Sequence, residues 1–203
     1  MITVAVQAGG RSQRMGRDKG LAPLGGRPLI AHLLERVAGL GDEVLITTNR
    51  PDDYVFLGLR TARDAEPGAG ALAGLETALA AAQGETVLVL ACDMPFVSRP
   101  LLEHLLSLAG RAEAVIPQRG GEFEPLHAVY ARACLPAVQA ARAAGRRRVI
   151  SFFDSVSVLA VDEATLARFD PQGLSFFNVN TPDDLARAEA WLAGGAPPTG
   201  DPR

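Results

Sequence analysis

Two kinds of apolar spacing alternate along this chain. Short apolar, β-branched runs at 2–7 (ITVAVQ), 43–48 (EVLITT), 59–63 and 86–91 (TVLVLA) read as strands. The continuous apolarity of 86–91 predicts a central strand covered on both faces. Between them, 28–40 carries Leu29, Ile30, Leu33, Leu34 and Val37 near a 3.6-residue period. Residues 71–83 are Ala- and Leu-rich and helical, with Gly84 as a stop. Further on, Ser98 caps a helix over 99–109, strands are expected at 113–117 and 126–131, and a helix over 134–144 ends at Gly145. A strand at 156–161 and a last helix from the Thr181 cap to Leu192 complete the order. Strands alternating with helices predict an α/β fold: a Rossmann-like, doubly wound, mostly parallel sheet with helices on both faces. In such folds ligands bind beyond the carboxyl ends of the strands.

A chain of 203 residues fits one domain, expected over 1–193 with a Gly/Pro-rich, disordered tail at 194–203. No apolar run is long enough to span a membrane, and MITVAVQAGG lacks a basic leader. Cys92 and Cys134 make neither a disulfide framework nor a zinc pattern, so a reducing cytoplasm is the expected compartment. A net charge of −3 argues against a nucleic-acid binder. Lys19 is the only lysine among 20 basic residues, and asparagine survives only at 49, 178 and 180. The composition therefore asks what chemistry those positions serve.

After the first strand comes Ala8-Gly9-Gly10-Arg11-Ser12-Gln13-Arg14-Met15-Gly16-Arg17-Asp18-Lys19-Gly20. Glycines let backbone N–H groups approach a phosphate, and Arg14 and Lys19 neutralise its charge. A basic surface loop is the alternative. Neither G-x-G-x-x-G nor the P-loop spacing is present. The spacing resembles the N-terminal signature of α/β nucleotidyltransferases: AGGRSQRMGRDKGL, then GGRPLI at Gly25–Ile30.

Other strand ends add to this. Asp93 stands past 86–91 in Cys92-Asp93-Met94-Pro95, where a hard carboxylate suits Mg²⁺; it also reads as a turn residue. Asn49 offers a donor and an acceptor for a base or ribose. Asp64 precedes a second glycine-rich loop and accepts from two guanine N–H groups at once, or merely shapes a turn. Asn178 and Asn180 share one face of an extended segment.

Together these segments resemble the molybdenum cofactor guanylyltransferase family over about 190 residues. The resemblance implies GMP transfer from GTP to molybdopterin carrying molybdenum, with Mg²⁺ and pyrophosphate release. It implies that Ala8, Gly9, Gly10, Lys19, Asn49, Asp64 and Asp93 hold the nucleotide. Lys19, Arg14 and Asp93 would carry catalysis, with Asp93 on the metal. Asn178, Asn180 and the Arg146-Arg147-Arg148 run are implied near the pterin acceptor, although a charge run is more commonly a solvated face. His127 is either an acceptor-pocket residue or a structural histidine. Gln7 departs from the family, which often has Leu there. Protein partners in cofactor synthesis or molybdoenzyme maturation are expected from the family. Alternatives are a CTP-using or sugar-phosphate nucleotidyltransferase, and a non-catalytic binding or delivery protein.

The lone lysine permits a direct test. Periodate-oxidised GTP is expected to label Lys19, with the N-terminal amine as the other reactive group, and Mg²⁺-GTP should protect Lys19. Labelling confined to the N-terminus in peptide maps would contradict a phosphate role for Lys19.

Overall fold

A computed structural model describes residues 1–8, 18–66 and 68–194. Arg14, Gly9 and Gly10, together with the expected disorder of the tail beyond Gly194, lie outside the described residues.

The chain runs β1 (Ile2–Gln7), a small hairpin of β2 (Pro23–Leu24) and β3 (Arg27–Pro28), α1 (Leu29–Val37), β4 (Glu43–Thr47), β5 (Arg60–Ala62), α2 (Ala71–Ala81) and β6 (Thr86–Ala91). It continues through α3 (Arg99–Ser107), β7 (Ala114–Arg119), β8 (Glu122–Phe123), β9 (His127–Ala131), α4 (Leu135–Ala143), β10 (Val158–Val161), α5 (Glu163–Phe169) and α6 (Pro182–Leu192). The main sheet has the order β10-β7-β9-β6-β1-β4-β5, with β8 paired to β7. Strands β1, β4, β5 and β6 pair in parallel, as does β10 with β7, whereas β9 is antiparallel to both neighbours. The mostly parallel expectation holds for the N-terminal half. The antiparallel insertion follows from chain length, because β7, β8 and β9 are joined too closely for a crossover helix.

Alternation along β1 divides the core. Val4 and Val6 join Ile30, Leu33 and Val37 of α1 and Leu101, Leu102 and Leu105 of α3 on one face. Ala5 joins Leu72, Leu75 and Leu79 of α2 and Val138 of α4 on the other. Strand β6 contributes Leu88 and Leu90 to the first cluster and Val87 and Val89 to the second, which explains its unbroken apolar run. A third cluster of Leu24, Leu29, Phe96, Phe177, Val179 and Ala188 packs the β2–β3 hairpin against α6. Among the described residues no helix is long and apolar enough to cross a membrane.

The caps read from the sequence are present. The Ser98 side chain accepts from the Leu101 N–H, and Thr181 forms a capping box with Asp184. Helix α1 stops at Val37, short of the expected 40, and α5 occupies a stretch that carries little periodicity, with Asp162 as its cap. The hairpin turns through Gly25 and Gly26 with φ of 56° and 76°, a conformation glycine adopts without penalty.

Gly84 sits against the start of β1, where an added Cβ would lie 2.6 Å from the Met1 carbonyl oxygen and 2.8 Å from the Thr3 nitrogen. Both are backbone atoms. Gly84→Ala is expected to lower unfolding stability by about 1–3 kcal/mol, read as a lower urea midpoint. An unchanged midpoint would show that this turn moves freely away from β1.

Candidate functional site

The strand order reverses at β1. The chain goes outward through β4 and β5, then returns to place β6 on the other side of β1. A crevice forms where such a reversal leaves adjacent crossovers on opposite faces. A cleft of about 850 Å³ lies there, lined by residues that follow the carboxyl ends of β1, β4, β5 and β6. Lys19, Asn49, Asp64, Asp93 and Asn178 line it, whereas Ala8 is fully buried and Asn180 is not among the lining residues.

Lys19 stands in a 3₁₀ turn (Lys19–Leu21) whose cap is Asp18. The Asp18 Oδ1 accepts from the Gly20 N–H at 3.1 Å and from the Tyr54 hydroxyl at 2.6 Å. Gly20 is required by close packing: a Cβ there would lie 2.7 Å from the Tyr54 hydroxyl and 3.2 Å from the Cys92 Sγ. The turn thus delivers the Lys19 ammonium to Asp93 Oδ2 at 3.3 Å, and Lys19 also donates to Asn180 Oδ1. The backbone N–H of Val179 donates to the Asp93 carbonyl at 2.9 Å, tying the segment before α6 to the end of β6. Asn178 and Asn180 therefore flank the same pair, with Asn178 on the cleft wall and Asn180 on the ammonium.

Burial raises the Asp93 pKa, and the Lys19 charge beside it opposes that rise. The Asp93 Oδ1 is buried with no partner among the described residues. The neighbouring Cys92 thiol is held well above its ordinary range by burial first and Asp93 second, so it packs rather than reacts.

Across the cleft, the Asn49 Nδ2 donates to Asp64 Oδ2 at 3.1 Å, and the Thr77 hydroxyl donates to Asp64 Oδ1 at 2.7 Å. Asp64 is thus fixed by two donors and keeps lone pairs on both oxygens for a ligand. Tyr54 and Thr77 are positioning residues that the sequence reading missed. Thr77 had a signal: Gly70, Gly74 and Thr77 share one face of an otherwise Ala/Leu helix.

The Arg146–Arg148 run and His127 stand outside the cleft lining. Arg146, Arg147 and Arg148 are exposed and are not among the cleft-lining residues, although the Arg147 backbone borders Gly70 on its wall. Arg146 is engaged locally, donating to the Ser151 carbonyl at 2.7 Å. His127 lies in the sheet with its ring 4.8 Å from Phe176, fully buried and away from the cleft lining.

A large cleft at the carboxyl ends of parallel strands, lined by a Lys–Asp pair and an Asn–Asp pair, fits an α/β nucleotidyltransferase. The profile described as the MobA-like NTP transferase domain matches residues 4–158. A protein of Pelotomaculum thermopropionicum described as a probable molybdenum cofactor guanylyltransferase is 35% identical, covering 92% of this chain and 91% of its own. The molybdenum cofactor guanylyltransferase of Pseudomonas putida is 45% identical over 71% of this chain and 78% of its own. The crystal structure of molybdopterin-guanine dinucleotide biosynthesis protein A from Archaeoglobus fulgidus superposes with a TM-score of 0.83 at 31% identity, covering 95% of this chain and 99% of its own. The chain belongs to the molybdenum cofactor guanylyltransferase family.

The buried histidine has a consequence for stability. Burial lowers the His127 pKa from 6.5 to about 3. Between those values the unfolded chain binds a proton that the folded chain refuses, so stability falls as pH drops below 6.5. The loss is roughly 1 kcal/mol per pH unit. Melting temperature should therefore decline from pH 6.5 toward 4, and His127→Phe should flatten that decline. An identical acid limb in the variant would assign the effect to other groups.

Proposed function

We propose that this chain transfers GMP from GTP to molybdenum-loaded molybdopterin and releases pyrophosphate. The observation that carries the reading is the Lys19–Asp93 pair, 3.3 Å apart at the topological switch point, facing the Asn49–Asp64 pair in one cleft. The acceptor's phosphate oxygen attacks the α-phosphorus of GTP, and the bond from that phosphorus to the bridging oxygen of the β-phosphate breaks. The acceptor phosphate is already ionised, so no nucleophilic side chain and no general base are needed.

The residues supply alignment and charge. Asp64 accepts from the guanine N1–H and 2-amino groups, with Asn49 holding its carboxylate in place. The Lys19 ammonium leaves Asp93 and follows the phosphates as charge moves toward pyrophosphate. Asp93 fits a divalent cation: its Oδ1 is a buried hard oxygen without a partner among the described residues. Asp93 would hold Mg²⁺ through that oxygen, and the ion would supply neutralisation of phosphate charge. Arg14, Gly9 and Gly10 are assigned to the phosphates by motif. Asn178 and Asn180 are assigned to the acceptor by motif, and the exposed Arg146–Arg148 run, which borders the cleft at Gly70, to a cationic approach.

Pyrophosphate release with GTP, Mg²⁺ and the molybdenum-loaded acceptor tests the reading. Turnover should be lost when Mg²⁺ is chelated and should fall about 10²–10³-fold in Asp93→Asn and by at least about tenfold in Lys19→Arg. A folded sample that releases pyrophosphate with CTP and not with GTP, or with neither, sinks it.

A further inference from the structure

Gln7 ends β1 in the centre of the sheet, in register with Thr47 of β4 and Ala91 of β6. Alternation puts its side chain on the Ala5 face, toward α2. The side chain is polar, yet the residue is only 9% exposed. Its carboxamide is seated against Gly74 of α2, where a Cβ would come within 2.7 Å of Oε1 and 3.0 Å of Cδ. Glycine inside a helix is unfavourable, so Gly74 marks a place where the space is used. That space holds the Gln7 amide at the cleft wall.

The Gln7 Nε2 is buried and has no hydrogen-bond partner among the described residues. A buried donor without an acceptor calls for one. The Asn49 Oδ1 and the Asp93 Oδ1 are the other such atoms on the cleft lining. His127 is orphaned inside the core, and Asp53 pairs with Arg50. Unmet polar capacity thus concentrates where a ligand would sit.

The donor's surroundings specify the acceptor. Asn49 lies two residues past Thr47, and Asp64 two residues past Ala62, so the ends of β1 and β5, on either side of β4, present an amide donor and a fixed carboxylate to the same cleft. A donor set beside an acceptor complements a lactam edge, a C=O adjacent to an N–H. A purine with a 6-oxo group and a protonated N1 presents that edge. A 6-amino purine or a 4-amino pyrimidine would set a donor against a donor.

We propose that Gln7 is a specificity-determining residue whose Nε2 donates to the 6-oxo group of the bound purine. This rests on the guanylyl reading above. The test measures Kd by calorimetry, with Mg²⁺ present and no acceptor, for GTP, 6-thio-GTP, ITP and CTP. Replacing O6 by sulfur weakens one acceptor and keeps the N1–H and 2-amino groups. Wild type should bind GTP about tenfold more tightly than 6-thio-GTP. In Gln7→Leu, and in Gln7→Met, which keeps the length, that ratio should fall to near one. The GTP/ITP ratio should stay unchanged, because ITP lacks the 2-amino group alone. A GTP/6-thio-GTP ratio near one in wild type, or one retained in the variants, overturns the role of Gln7 while leaving a preference over CTP intact. Wild type binding CTP as tightly as GTP overturns the guanine reading itself.

Discussion

A carboxylate held largely out of water at the end of a central strand is the constraint on which the site depends. Asp93 sits there because β6 is buried on both faces and the chain must turn directly after it. Burial penalises its charge, and the Lys19 ammonium is the charge that opposes this. The pairing draws distant segments together. Lys19 arrives on a turn fixed by Asp18 and Tyr54, the latter from the 3₁₀ segment Pro51–Leu57 after β4. Asn180 meets the ammonium from the segment before α6, and Val179 is bonded to the Asp93 backbone. The third apolar cluster locks that segment in place through Phe96, Phe177 and Val179.

The sheet explains why the cleft lies where it does. Alternate side chains of β1 feed two separate cores, so β1 is fixed on both faces and its carboxyl end is a rigid platform. Strands β4 and β6 flank it in parallel, and all three end at the same level. Glycine is used where the platform meets its neighbours most closely. Gly20 admits the Tyr54 hydroxyl and Cys92, and Gly74 admits the Gln7 carboxamide. In both places backbone approach takes the room a side chain would fill.

Much of this was legible in the sequence because the signals are local. The β1, β4 and β6 runs, the Ser98 and Thr181 caps, and the glycine-rich turns after strands each need only a few neighbouring residues to be recognised. Lys19, Asn49, Asp64, Asp93 and Asn178 could be placed on one cleft from the sequence because in a doubly wound fold the segments after strand ends converge there. The unread parts are tertiary. Helix α5 has seven residues and buries chiefly Leu166, too little to print a period. The direction of β9 depends on which strand it joins. Tyr54 acts through Asp18 on another element, which no local pattern shows. The Arg146–Arg148 run was conspicuous by charge, yet the three arginines are exposed and only the Arg147 backbone reaches the cleft wall.

The composition puzzle of one lysine among many arginines has a geometric side. At Nζ, Lys19 presents three donors on one compact centre. Among the described residues, Asp93 and Asn180 take one each, from two segments that are themselves joined by the Val179–Asp93 backbone bond. A planar guanidinium spreads its donors over a fork and favours a single bidentate partner. It would satisfy Asp93 or Asn180 well, not both, and would occupy more of the cleft. The ammonium also pivots on its stem without moving the 3₁₀ turn. Burial already raises the Asp93 pKa, so removing the ammonium would push that carboxylate further toward its neutral form. Lys19, Asn180 and Asp93 therefore act as one electrostatic unit, in which the charge of the carboxylate depends on the reach of the lysine.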